Sequence, residues 1–130
     1  MKEIKQIIFK PFLFICIGLM TLTLVSAAAY DPPGAPRDVE VTDWWKDGCS
    51  IKFKPPKNDG GSPIVGYRIG YKYTDEALWD ELPRLILSYE ITVTNLIEGR
   101  EVQFRVSAVS QKGGEGPPSE PTEPIVIKDR

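Results

Sequence analysis

The sequence predicts an all-β protein, a seven-stranded antiparallel β-sandwich preceded by an N-terminal hydrophobic leader helix. Three observations lead to this fold class. Short segments in which apolar and polar residues alternate recur between residues 37 and 130. Clusters of Gly, Pro, Asn and Asp separate them, and the one helix-like stretch, residues 75–82, ends at Pro83. Seven such strands within about 95 residues are typical of two packed antiparallel sheets.

The first 29 residues are predicted to be a leader, either a signal peptide or a signal anchor. Lysines at the start precede an uncharged, mostly apolar run from Pro11 to Tyr30, which closes with small residues at 26–29. A basic start, an apolar middle and a small-residue end are typical of a secretory signal peptide. The apolar run is also nearly long enough to span a bilayer and stay uncleaved. In both cases the positive N-terminus would place the following domain outside the cytosol.

Residues 30–36 are predicted to be a proline-rich linker, because prolines there prevent a helix, and residues 37–130 to be the sandwich domain. Within the domain, the alternation points every second residue of each strand inward. A loop is expected at 55–63, and the prolines before a last strand at 125–127 suit a sheet edge. The predicted core consists of Cys49, Ile51, Phe53, Tyr67, Ile69, Tyr71, Ile91, Val93, Leu96, Val102, Phe104, Val106 and Ala108.

Composition excludes several classes of function. The 16 basic and 18 acidic side chains give a net charge of −2, which argues against a nucleic-acid partner. Because the chain has no histidine, histidine-dependent catalytic triads and the common zinc sites cannot form. No nucleophile with a base, metal cluster or phosphate-binding loop can be assembled from the sequence. We therefore predict no enzyme activity, no cofactor and no metal site.

Three segments carry a resemblance to a known family. They are PPKNDGGSPIVGY (55–67), LIEGREVQFRVSAVS (96–110) and GPPSEPTEP (116–124). Together they resemble fibronectin type III domains, which have an immunoglobulin-like fold, and more narrowly the repeats of the giant muscle proteins titin and twitchin. The resemblance implies a non-catalytic structural and interaction module of the muscle thick filament. It also implies protein partners such as myosin or neighbouring immunoglobulin and fibronectin III repeats.

Two positions depart from the family pattern. Phe53 stands where members carry Trp, and Val102 stands where they carry a Tyr whose hydroxyl bonds back to the chain at a corner. The resemblance therefore implies that this hydrogen bond, worth about 1 kcal/mol, is absent. We expect the fold to survive with reduced stability.

The leader and the muscle-type segments indicate different settings. If the chain is a fragment of a muscle giant, it belongs to the sarcomere or cytoplasm, and the unpaired Cys49 suits a reducing compartment. If the leader is genuine, the alternative is a secreted or membrane-anchored recognition domain with an unknown partner. In either setting we expect a monomer that binds protein, contacts no nucleic acid and meets a membrane only through its leader.

Partner contacts are expected at exposed positions of three kinds. Adjacent strand residues point to opposite faces, so one of two neighbouring tryptophans is expected outside the core, and exposed Trp is enriched at binding hot spots. A polar loop and the outward positions of two strands complete the set. The predicted contact residues are Trp44, Trp45, Asn58, Asp59, Arg68, Lys72 and Arg105.

Overall fold

The computed structural model describes residues 30–130, so the predicted leader helix at 1–29 lies outside the described residues. Every regular element within residues 30–130 is a β-strand, and all strand pairs are antiparallel. None of these residues forms a helix that is long and apolar enough to cross a membrane. The strands are β1 (Arg37–Trp45), β2 (Gly48–Lys54), β3 (Ile64–Tyr73), β4 (Asp80–Glu81), β5 (Glu90–Val93), β6 (Glu101–Ser110), β7 (Gly114–Glu115) and β8 (Ile125–Val126).

The strands form two sheets of unequal size. The smaller sheet has the order β1–β2–β5, and the larger has the order β4–β3–β6, with both β7 and β8 on the far side of β6. Side chains of β2 and β5 join those of β3 and β6 in one buried cluster. The predicted antiparallel sandwich is therefore confirmed, and residues 31–130 form one compact unit.

The core contains the inward-facing residues of the strands, and it differs from the predicted set at four residues. Tyr71 and Ile91 lie half-buried at its margin, because β5 is an outer strand and β4, the neighbour of Tyr71, is only two residues long. Tyr73 and Ile127 are buried as well, Tyr73 because it continues the alternation of β3. The buried apolar residues are Cys49, Ile51, Phe53, Tyr67, Ile69, Tyr73, Val93, Leu96, Val102, Phe104, Val106, Ala108 and Ile127.

A tyrosine does close the corner before β6, but it comes from a neighbouring strand. The hydroxyl of Tyr73 accepts a hydrogen bond from the N–H of Ile97 at 3.0 Å. Tyr73 lies directly across from Val102 in the β3–β6 ladder. Its side chain is therefore next to position 102, where family members carry the corner tyrosine. The expectation that the corner lacks a tyrosine hydrogen bond is therefore wrong.

Replacing Tyr73 by phenylalanine is expected to lower the free energy of unfolding by about 1 kcal/mol, because it removes one partly buried hydrogen bond and little volume. Tyr71→Phe is the matched control, since no hydrogen-bond partner of the Tyr71 hydroxyl occurs in the described chain. Urea unfolding of both variants measures the difference. Equal losses in the two variants would show that the Tyr73 hydroxyl contributes nothing.

The last strand is in two pieces. The sequence predicts one strand at 125–127, whereas the structure has β7 and β8 on the same side of β6 with the proline-rich residues 116–124 between them. This intervening segment still donates backbone hydrogen bonds to β6, at 2.8 to 2.9 Å. The donors and acceptors pair as Gly116 with Ala108, Ser119 with Val106, and Thr122 with Phe104.

These contacts follow a three-to-two spacing. Every third residue of the segment bonds to every second residue of β6, and the two residues between contacts are exposed. The hydroxyls of Thr122 and Ser119 also accept the N–H groups of Phe104 and Val106, each at 3.0 Å. The two hydroxyls thus replace the carbonyl acceptors that a regular edge strand would supply.

The proline-rich segment 31–36 packs on the domain and is not a free linker. The N–H of Asp31 donates to the carbonyl of Gly60 at 3.0 Å. Pro33 is fully buried, and its carbonyl lies so close to Gly116 that a Cβ at Gly116 would overlap it. The segment 31–36 therefore contacts both the loop that follows β2 and the residues that follow β7.

Candidate protein-contact site

The outer face of the larger sheet brings three of the predicted contact residues together. Arg68 and Lys72 belong to β3 and Arg105 to β6, at positions that alternate with the core residues. Lys72 and Arg105 both approach the ring of Trp79, which directly precedes β4. We call this set of four residues, Trp79, Arg68, Lys72 and Arg105, the Trp79 face.

The side chain of Arg105 crosses β3 to reach Trp79. Its guanidinium carbon lies 4.3 Å from the centre of the Trp79 ring, and the Lys72 ammonium nitrogen lies 5.9 Å from it. These are distances at which a tryptophan face attracts positive charge. Gly70 stands directly across from Arg105 in the ladder, and a Cβ there would lie 3.4 Å from Arg105 Cγ. The missing side chain at Gly70 thus leaves room for Arg105 to lie across the strand.

The three cations of the Trp79 face differ in their hydrogen-bond partners. Arg68 Nε donates to Glu115 Oε1 at 2.9 Å, and Lys72 Nζ donates to the carbonyl of Glu76 at 3.1 Å. Arg105 has no acceptor for its guanidinium N–H groups within the described chain. Those N–H groups are available to a carboxylate of another molecule, which a guanidinium can bind through two parallel hydrogen bonds.

The predicted contact residues Trp44 and Trp45 lie elsewhere, at the β1–β2 turn of the smaller sheet, and both are half-buried. The guanidinium carbon of Arg130 lies 4.2 Å from the centre of the Trp44 ring, and Arg130 also donates to Asp43 Oδ1 at 2.7 Å. The Trp45 ring lies against Gly48. Each tryptophan is therefore engaged by its own chain, and neither is part of the Trp79 face.

The predicted contact residues Asn58 and Asp59 shape their own loop. Their Oδ1 atoms accept hydrogen bonds from the N–H groups of Gly60 and Gly61, at 2.6 and 2.8 Å. The two glycines have φ angles of 77° and 96°, in the left-handed region that glycine adopts without steric penalty. The Oδ1 atoms of Asn58 and Asp59 thus hold the turn of their own loop.

Trp79 lies against Lys72 and Arg105, although it is not among the contact residues that the sequence predicts. Its position depends on the pairing of β4 with β3, in which Asp80 lies across from Tyr71. A strand of two residues is too short to show an alternating pattern. The signal that could have indicated the site is Gly70, a glycine within a strand, where close approach of another group is common.

Cys49 offers no chemistry to a partner. The side chain is fully buried, and this burial raises the pKa of the thiol to about 12. The thiol therefore stays protonated at neutral pH, and only a thiolate is a good nucleophile.

Two antiparallel sheets packed around one core, in this strand order, define an immunoglobulin-like sandwich domain. Within that class the chain belongs to the fibronectin type III family, because the family model for the fibronectin type III domain matches residues 34–125. Human myosin-binding protein C, slow-type, is 39% identical over 101 residues, which span 75% of this chain and 8% of that protein. Human Protein sidekick-1 is 34% identical over 110 residues, which span 76% of this chain and 4% of that protein.

Solved structures of muscle proteins share the fold. Domains A168–A170 of titin superpose with a TM-score of 0.72 at 35% identity, over 77% of this chain and 34% of that one. The twitchin kinase region from C. elegans gives a TM-score of 0.70 at 27% identity, over 75% of this chain and 17% of that one. The resemblance to titin and twitchin repeats is thereby confirmed. In the twitchin structure the similarity lies in a domain that flanks the kinase, and the homologous fibronectin type III domains are non-catalytic.

Proposed function

We propose that this chain is a non-catalytic interaction module of a muscle thick-filament scaffold, as the repeats of titin and twitchin are. Its similarity to titin, twitchin and myosin-binding protein C supports this setting, which would be the sarcomere. The chain spans only a small share of these relatives. The proposal therefore treats it as one repeat of a longer protein, with neighbouring immunoglobulin and fibronectin III repeats as additional contacts.

The observation that carries the proposal is the guanidinium of Arg105 on the ring of Trp79. Because stacking holds the side chain in place, less conformational entropy is lost when it binds a partner. Its N–H groups lack an acceptor within residues 30–130, so a carboxylate on the partner would complete its hydrogen bonding. One relative is named for binding myosin, and we extend that partner to this chain.

Arg105→Ala is expected to weaken binding of the full chain to purified myosin filaments about tenfold, since a buried, pre-oriented arginine at an interface commonly contributes more than about 1 kcal/mol. Cosedimentation over a range of filament concentrations measures the affinity. Arg84→Ala is the matched control, because Arg84 is exposed in the loop between β4 and β5 and belongs to no contact of the Trp79 face. Equal binding by both variants would exclude the Trp79 face as the contact, and a wild-type chain that stays in the supernatant would exclude myosin.

A second candidate function is a secreted or membrane-anchored recognition domain. The leader-like composition of residues 1–29 and the 34% identity to Protein sidekick-1 favour it. Mass spectrometry of cells and medium after expression of the whole reading frame separates the two candidates. A product in the medium that begins near residue 29 or 30 supports secretion, whereas peptides found only within a much larger muscle protein support the thick-filament role.

A further inference from the structure

The two sheets have four outer edges, and three of them are unsuited to pairing with another chain. β1 is irregular, with two register shifts and a positive φ of 52° at Asp38. β4 has two residues, both charged, and prolines interrupt the β7–β8 edge, where they remove N–H donors. β5 lacks these features apart from the charge of Glu90. Its four residues pair with β2 without a register shift and include no proline.

The outer edge of β5 presents unpaired backbone groups at Thr92. In an antiparallel ladder, hydrogen-bonded pairs alternate with non-bonded pairs. Phe53 N–H donates to the carbonyl of Tyr89 at 3.0 Å, so the odd-numbered residues of β5 face β2 and the even-numbered ones face away. Ser88 Oγ donates to the carbonyl of Glu90 at 2.7 Å. Because no strand of residues 30–130 lies on this side of β5, the N–H and C=O of Thr92 are left for another molecule.

A groove lies beside this edge, in the gap between β5 and β4. Its cavity has a volume of about 310 Å³ and is lined by both strands and by the loops that adjoin them. The rings of Tyr71 and Tyr73 line it and meet edge to face, with centres 6.3 Å apart. Glu76 and Asp80 add carboxylates to the lining. Asp80 lies directly across from Tyr71 in the β3–β4 ladder, so its carboxylate is on the same side as the aromatic wall. Burial, and next the charge of Asp80, raise the pKa of Tyr71.

Arg100 also lines this groove, but neighbouring carboxylates neutralise its charge. Arg100 donates to Asp75 Oδ1 at 2.6 Å and lies 3.7 Å from Glu76 Oε2. Its guanidinium carbon also stacks 4.0 Å from the centre of the Tyr73 ring. Asp80 has no cationic partner in the described part of the chain. The groove thus combines aromatic rings with an unmet carboxylate, which is the environment that a lysine or arginine side chain prefers.

We infer that β5 is a docking edge for an extended segment of a partner protein, which adds to the smaller sheet as a further strand and places a Lys or Arg side chain in the groove. Main-chain hydrogen bonds would provide the affinity of such a contact, and the groove would provide its specificity. The inference goes beyond the proposed function and does not depend on the Trp79 face. Charge favours it as well, since residues 30–130 carry four more acidic than basic side chains.

The side-chain alternation of the added strand identifies which of its residues enter the groove. Residues of the partner that lie opposite Ile91 and Val93 share their direction and point toward the gap between the sheets. The neighbouring residues of the partner point outward, beside Thr92. The strand would also cover apolar surface at the start of β5, where Leu87 is 81% exposed and Tyr89 is 54% exposed.

The test uses the full chain and the capped heptapeptide Thr-Val-Thr-Arg-Thr-Val-Thr, whose central arginine lies on the same face as its two valines. The matched probe has glutamate in place of arginine. Hydrogen exchange of individual backbone amides is measured with and without each peptide. We expect the arginine peptide to slow exchange at Thr92 more than at the odd-numbered amides of β5, which are already paired with β2. We expect the glutamate peptide to bind about tenfold more weakly.

Two variants separate the edge from the groove. Thr92→Pro removes the outward N–H without touching the β2 ladder and is expected to weaken peptide binding at least tenfold, whereas Thr92→Ala retains the donor and is expected to bind as the wild type does. Asp80→Asn should reduce the preference for the arginine peptide over the glutamate peptide several-fold. This variant keeps the test valid even if Thr92→Pro fails to fold.

Three outcomes would overturn the inference. The first is no saturable binding of the arginine peptide by the wild-type chain. The second is protection that maps to the Trp79 face and leaves Thr92 unchanged. The third is protection of Thr92 that rises with the concentration of the chain alone, which would make a second copy the occupant of this edge. None of these results bears on myosin binding, so the two proposals stand or fall separately.

Discussion

Replacing Gly116 by alanine is expected to lower the free energy of unfolding by about 3 kcal/mol, at the upper end of what overpacking costs when the backbone must shift. A Cβ at this position would overlap the carbonyl oxygen of Pro33 and approach its carbonyl carbon and ring. Pro33 is fully buried and cannot move outward without breaking the packing of residues 31–36. Thermal and urea unfolding measure the loss.

Gly114→Ala is the matched control two residues away. Gly114 has a φ of 81°, but a Cβ there would meet no atom within 4 Å. The substitution therefore adds only the penalty for a left-handed backbone, about 1 kcal/mol. If both variants lose the same stability, the close approach of Pro33 to Gly116 does not constrain the folded state.

The second large effect is expected for Thr122→Val, which should lower the free energy of unfolding by about 2 kcal/mol. Valine has nearly the same shape as threonine but no hydroxyl, so the buried N–H of Phe104 loses its acceptor at 3.0 Å. The penalty for an unpaired buried donor exceeds the small gain from a more apolar side chain. Ser119→Ala should behave similarly at Val106, because Ser119 Oγ accepts that N–H in the same way.

Thr42→Val provides the control for the hydroxyl deletion. The Thr42 hydroxyl donates to the carbonyl of Ser50 at 3.4 Å and is exposed to solvent, so water can replace the contact. Its loss is expected to change the free energy of unfolding by no more than about 0.5 kcal/mol. A loss for Thr122→Val no larger than this would mean that the N–H of Phe104 finds another acceptor.

Strand positions and most of the core could be predicted because they depend on local alternation. Residues 102–108 show this most clearly, since each apolar residue there is buried and each intervening one except Ser107 is more exposed. Alternation alone does not explain why Tyr71 is only half-buried. The burial of Tyr71 depends on the length of the neighbouring strand β4, and that length depends on how distant segments of the chain pair.

The candidate contact site was harder to predict because its residues come together from three strands. Arg68, Lys72 and Arg105 could be chosen from their outward positions, but their relation to Trp79 requires the order β4–β3–β6. The hydrogen bond from Ile97 to Tyr73 was missed for a related reason. A family pattern names the position that usually carries a tyrosine, whereas the physical requirement is a hydroxyl at one place in space, which a cross-strand neighbour can supply.

The three-to-two spacing of the segment 116–124 against β6 also determines which insertions and deletions the domain can tolerate. The contact positions hold Gly, Ser and Thr, whereas a proline occupies the third place of every triplet, at 118, 121 and 124. A shift of the segment by two residues would bring those prolines to all the contact positions, where β6 carbonyls need N–H donors. A shift by one residue would put Pro117 in the place of Gly116 and glutamates in the places of the two hydroxyl acceptors, Ser119 and Thr122. Insertions and deletions in this segment are therefore expected to be multiples of three residues. Such changes keep an N–H donor at every contact position and leave the prolines between the contacts.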